Sequence, residues 1–180
     1  PNLVYLAPTT YEEYIAMLDW STEQREHPVA IRVPGAVIHG EKPTKDYGIL
    51  NKYETVQKGS GAAIIALGTF FGMGKQAAEL IEKKTGVKPT LINPVYITGI
   101  DEELLESLKK DHKAVITLED GILDGGFGEK IARFYGDSDM RTVNFGLKKE
   151  FLDRYDANEV LRQNGITPEQ IADRAAELIK

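Results

Sequence analysis

A chain of 180 residues with no cysteine is long enough for a substantial core, and it excludes disulfides, thiolate nucleophiles and cysteine-ligated metals. Its 22 basic residues are outnumbered by 28 acidic ones, for a formal net charge of -6. No uninterrupted basic stripe exists to replace phosphate counterions, which argues against nucleic acid as a partner.

The apolar content of 42% is that of a globular protein, and the longest apolar runs are too short to span a bilayer, so the expected setting is the cytoplasm with no membrane partner. The chain opens on Pro1 rather than Met, and the expectation is a processed or truncated piece. "LVYLA" (3–7) predicts a strand, "TYEEYIAMLDWSTEQ" (10–24) a helix and "VAIRV" (29–33) a second strand. This strand-helix-strand unit is too small to fold alone, and it reads as the last βαβ of a larger domain.

From Pro34 to Gly59 the rhythm breaks. That much irregular chain is uncommon inside one compact domain, so the stretch predicts an interdomain connection ending in an edge strand. Strands at "AAIIAL" (62–67), "VKPTLINPVYI" (87–97), "KAVITLE" (113–119) and "MRTVNF" (140–145) then alternate with helices at "GKQAAELIEKKTG" (74–86), "DEELLESLKKDH" (101–112) and "GEKIARFYG" (128–136). Gly86 is a helix stop and Asp101 an N-cap. Unbroken apolar strands between helices predict an α/β fold with a mostly parallel sheet buried on both faces. At the carboxyl end, Asp156 or Asn158 can cap a short helix, and "TPEQ" from Thr167 starts the last one, with Pro168 at its first position.

Candidate chemistry is sparse. In "LEDGILDGGFGEK" the glycines Gly126 and Gly128 lack the third glycine of a dinucleotide fingerprint, and Glu119, Asp120, Asp124 and Glu129 surround them; a tight strand-to-helix turn fits better than a phosphate cradle. "GTFFGMGKQ" has Thr69 where a P-loop needs its first glycine and Gln76 where it needs Ser or Thr. His27, His39 and His112 are too scattered for a zinc site, and His112 reads as a helix-end or interface residue. Glu119 and Asp120 end a buried strand; they read as capping and interface groups, with acid/base or metal chemistry as the alternative.

"PNLVYLAP" with "YEEYIAML", then "PVAIRVPG", "LNKYETVQKG", "AAIIALGT", "LINPVYITGIDEELL", "AVITLEDGILDGGFG" and "FGLKKEFLDRYDANEVLRQNGITPEQIA" occur in an order and spacing that, over essentially the whole chain, resembles the carboxyl-terminal portion of the 1-deoxy-D-xylulose-5-phosphate synthases. These belong to the transketolase-like thiamine-diphosphate enzymes. The GGFG element is shared with 2-oxo acid dehydrogenase β subunits, whereas the tail after "GL" is more specific to the synthase and transketolase branches.

The resemblance implies a three-layer transketolase C-terminal-domain-like fold at 59–180, an interdomain linker and edge strand at 39–58, and the end of a pyrimidine-binding domain at 1–38. It further implies that thiamine diphosphate, its Mg2+ and the catalytic residues come from upstream domains, so that no catalytic, cofactor-binding or metal-binding residue lies in this chain. The implied partners are those upstream domains, a second copy in a homodimer, and small-molecule substrates. A transketolase, a 2-oxo acid dehydrogenase β subunit or a non-catalytic α/β module are the alternatives. Arg32 and His39 are the candidate substrate contacts. The synthases read Arg-Tyr-Pro-Arg-Gly where this chain has Arg32-Val33-Pro34-Gly35-Ala36, so the phosphate-binding second arginine is replaced by Gly35. Two further family cations are missing along Val95–Gly99. The resemblance with these departures implies either a phosphate held from elsewhere or a different, unphosphorylated acceptor.

Overall fold

The computed structural model describes residues 2–33 and 35–179. The opening residue Pro1, Pro34 of the "RVPGA" motif and Lys180 lie outside the described residues.

Strand β1 (Val4–Leu6), helix α1 (Tyr11–Glu23) and strand β2 (Val29–Ile31) form the first unit, with β1 and β2 paired in parallel. Thr10 caps α1 by accepting from the Glu13 N–H. Residues 35–53 then run without helix or strand, fixed by hydrogen bonds instead. The Tyr11 N–H donates to the Ile38 carbonyl at 2.7 Å, and the Tyr96 hydroxyl donates to the Tyr47 carbonyl at 2.9 Å. Irregular backbone must satisfy its polar groups by such contacts, because no ladder does it.

The remainder comprises β3 (Glu54–Gln57), β4 (Gly61–Ala66), α2 (Phe71–Thr85), β5 (Thr90–Asn93), α3 (Glu102–Leu108), β6 (His112–Ile122), α4 (Phe127–Tyr135), β7 (Arg141–Leu147), α5 (Ala157–Gln163) and α6 (Pro168–Leu178). The sheet order is β3-β5-β4-β6-β7. Only the edge strand β3 is antiparallel to its neighbour, and the other pairings are parallel. This is the α/β architecture read from the alternation of apolar runs, with the anticipated edge strand.

Successive residues of β4 point to opposite faces. Ala62, Ile64 and Ala66 pack with α2 and α6, whereas Ala63, Ile65 and Leu67, just past the strand end, pack with α3 and α4. Both faces are dry, which explains the unbroken apolar run and gives three layers. A third cluster of Leu6, Met17, Tyr47 and Tyr96 seals the first unit against the chain after β5.

Several boundaries differ from the sequence reading: α3 stops at Leu108, and His112 opens β6, which runs on to Ile122 rather than ending at Glu119. Helix α2 begins at Phe71 rather than Gly74, after a 3-10 turn at Gly68–Phe70; packing of Phe70, Phe71 and Met73 on the core overrides the poor helix propensity of Gly72 and Gly74. "VKPTLINPVYI" is not one strand. Strand β5 stops at Asn93, because Pro94 has no N–H to offer a ladder and Val95 takes a φ of 64°. Tyr96 instead bridges to Leu6 of the first unit.

Candidate functional site

In an open parallel sheet the carboxyl ends of the strands leave a crevice where binding groups collect. Here the end of β2 brings Arg32, the turn after β4 brings Thr69 and the end half of β6 brings Glu119 and Asp120. The Arg32 Nη1 lies 2.5 Å from Asp120 Oδ1, and the Thr69 hydroxyl donates to Asp120 Oδ2 at 3.1 Å. These three, with Pro8, Val33, Gly35 and Gly68, line a cleft of about 110 Å³. Arg32 is therefore an ion-pair residue and a cleft-lining residue together. Its guanidinium, about one-third exposed, keeps donors free toward the cleft, since a fork of five N–H groups exceeds what one carboxylate uses.

Gly35 sits on the rim with open space around it: a Cβ built there would meet nothing within 4 Å. A long side chain at this position has room to reach over the cleft. In its absence the cleft holds one guanidinium, already neutralised by Asp120.

Glu119 has a different task. It is buried, and its two oxygens accept the Phe127 and Gly128 N–H groups, each at 2.8 Å. These are donors at the amino end of α4 that have no partner inside the helix. A Cβ on Gly126 would lie 2.6 Å from Glu119 Oε2, and one on Gly128 would lie 2.5 Å from Thr117 Oγ1. The glycines therefore permit the carboxylate to approach the helix start. The donors that a diphosphate would need in this loop are taken by the chain's own carboxylate, so the glycine loop does not fit thiamine diphosphate. Of the roles open to the Glu119–Asp120 pair, the structure shows capping by Glu119, while Asp120 pairs within the chain, with Arg32 and Thr69.

His39 does not line the cleft. Its Nδ1 is 2.9 Å from Glu12 Oε1, and the Gly40 N–H donates to Glu12 Oε2 at 2.8 Å, so Glu12 pins the exposed connection to α1. The hydrogen bond from His39 holds the Glu12 carboxyl below its ordinary range. His112 opens β6, buried with its ring between Thr90 and the Leu108 carbonyl at the end of α3. Among the described residues no group of three or more His, Asp or Glu side chains is placed to hold a metal ion.

Sequence reasoning missed Thr69, whose signal was its place in the near-miss "GTFFGMGKQ". It also missed Glu13. That side chain is buried and accepts from the Thr9 N–H at 2.6 Å, the Thr9 hydroxyl at 2.9 Å and the Asn93 amide at 2.9 Å. It ties α1 to β5 directly. Burial raises its pKa above the ordinary carboxylate value against the opposing effect of these donors.

The family model for the transketolase C-terminal domain matches residues 51–171. The 1-deoxy-D-xylulose-5-phosphate synthase of Clostridium tetani is 31% identical over 182 residues, covering 99% of this chain and 29% of that protein. The synthase of Clostridium perfringens strain SM101 is 32% identical over 185 residues with the same coverage of 99% and 29%. The chain thus spans 29% of the length of these curated relatives. Among solved structures, a split-gene transketolase described as an inactive beta4 tetramer superposes with a TM-score of 0.83 at 22% identity, covering 100% of this chain and 59% of that one. A transketolase mutant from Pichia stipitis gives 0.72 at 17% identity, covering 99% and 25%. No helix among the described residues is long and apolar enough to cross a membrane. With its three-layer sheet and this match over residues 51–171, the chain belongs to the transketolase C-terminal domain family.

Proposed function

We propose that this chain is the carboxyl-terminal part of a thiamine-diphosphate-dependent transferase resembling 1-deoxy-D-xylulose-5-phosphate synthase, which joins a two-carbon unit from pyruvate or a ketose to an aldehyde. The observation that carries this reading is the alignment to synthases across 99% of the chain. Residues 1–38 are the end of the pyrimidine-binding domain, 39–58 the linker and edge strand, and 59–180 the C-terminal domain. The cofactor and its Mg2+ belong to upstream domains, and this chain alone does not catalyse. Its work is contact in a cytoplasmic homodimer and completion of the active-site rim.

On that rim Arg32 is the substrate contact within the cleft, oriented by Asp120, and His39 is the contact from the exposed connection. Phosphate recognition favours a bidentate guanidinium, and Gly35 supplies none. The acceptor is therefore an unphosphorylated aldehyde. A donor and acceptor screen on the full-length protein tests this. It should consume pyruvate or a ketose with D-glyceraldehyde and use glyceraldehyde 3-phosphate poorly. Gly35→Arg should raise kcat/KM for the phosphorylated acceptor about tenfold, the equivalent of one charge-assisted hydrogen bond. Efficient turnover of glyceraldehyde 3-phosphate by the unmodified enzyme overturns the acceptor reading. Absence of transfer from every two-carbon donor overturns the reaction class.

A further inference from the structure

A second cleft, of about 630 Å³, opens at the other end of the sheet, where β6 and β7 begin rather than end. Its volume lies in the range of small-molecule sites, about 300–1,000 Å³. Its lining includes Lys109, Lys113 and Arg141, against the single carboxylate of Asp139. In a chain with six more acidic than basic residues, 28 against 22, this is a local reversal of sign.

Two of the three cations have a structural reason to be there. Lys109 closes α3, lies 2.6 Å from Glu106 and sits over the Phe134 and Tyr135 rings at 5.3 and 5.9 Å. Lys113 donates to the Ile179 carbonyl past the end of α6. Cations are favoured at helix carboxyl ends, where carbonyls lack partners. Arg141 has no such reason. It opens a strand, is exposed, and among the described residues its side chain forms no hydrogen bond or ion pair. Its backbone is fixed by pairing with Ala114 of β6, so the guanidinium is presented from a rigid strand start, and the held ammonium of Lys109 lines the same cleft. Met140 and Leu178 supply apolar wall, which lowers the local dielectric and strengthens attraction for an anion.

We propose that this cleft binds the phosphate group of a small metabolite, with Arg141 as its principal contact and Lys109 as the second. A planar guanidinium fork and a point-charge ammonium are the pair of donors that suits a phosphate dianion. The site lies at the opposite sheet end from the Arg32 cleft and does not depend on what that cleft accepts.

The test is titration of the intact protein, with thiamine diphosphate present so that any cofactor site elsewhere in it is filled. Inorganic phosphate and glycerol 3-phosphate serve as probes at constant ionic strength, with chloride as the reference anion and thermal midpoint and calorimetric heat as readouts. Phosphate should raise the midpoint, and Arg141→Gln should weaken the affinity about tenfold, as expected for losing a charge-assisted hydrogen bond. Lys109→Gln should weaken it in the same direction, and Lys83→Gln on the exposed face of α2 should leave it unchanged. Tighter binding of glycerol 3-phosphate than of phosphate identifies an organic phosphate as the ligand, and equal binding identifies free phosphate. A response no larger than that to chloride, or one unaltered in both Arg141→Gln and Lys109→Gln, overturns the proposal.

Discussion

Glu119 shows how a residue that invites a catalytic reading can be consumed by structure. Both oxygens are occupied by backbone donors at the start of α4. Glu119→Ala would strand two buried N–H groups, each worth about 1–3 kcal/mol when left unmade. Denaturant unfolding should report a loss of about 2–6 kcal/mol on that scale, with Glu119→Gln milder because one acceptor oxygen remains. A loss under about 0.5 kcal/mol, the range of ordinary surface substitutions, would show that the loop does not need this carboxylate. The carboxylates around the glycines were visible in the sequence, and they were enough to turn the reading from phosphate cradle to turn. What the sequence hid was the pairing of Asp120 with Arg32, because the two are far apart in the chain and meet only once β2 and β6 end on the same side.

At the scale of elements, the signals that worked were those with a local physical cause. Asp101 accepts from the Leu104 N–H, Asp156 from the Glu159 N–H and Thr167 from the Gln170 N–H. Gly86 ends α2 in the left-handed region at φ 72°. Each follows from a side chain or a missing Cβ acting within a few residues. Two of the boundaries that failed, at the start of α2 and the end of β5, depend on packing against strands far away in sequence. Thr167→Ala should cost about 1 kcal/mol, the usual value of a lost N-cap. The cost should appear in global unfolding rather than in fraying, because Ile171, Ala172, Ala175 and Leu178 of α6 are part of the core. Thermal unfolding monitored by circular dichroism measures it, and an unchanged midpoint would mean that Pro168 alone defines the helix start.

At the scale of the molecule, the irregular stretch between β2 and β3 was legible as chain without helix or strand because it lacks periodicity. The way the first unit is fastened across it was not legible. Fastening falls to the apolar cluster around Tyr96, to the Arg32–Asp120 pair and to Glu13. Glu13 makes the fastening pH-dependent. Its folded pKa is raised above 4.5, mainly by burial, so across that interval the folded protein binds more protons than the unfolded chain. Stability from this group is then fully present below the ordinary value, falls as pH rises through the raised one and levels off above it. Glu13→Gln should remove this slope, whatever constant offset the exchange of an acceptor for a donor adds. Thermal midpoints of both proteins over the acidic range decide it, and parallel curves would exclude Glu13 as the source.

In the proposed function the chain completes the rim of a thiamine-diphosphate enzyme without holding the cofactor. Calorimetric titration with thiamine diphosphate and Mg2+ tests it most directly, on the chain by itself and on the protein that joins it to the upstream domains. The expected result is no heat of binding for the chain alone and saturable binding for the joined protein. Micromolar binding by the chain alone, or none by the joined protein, would contradict it.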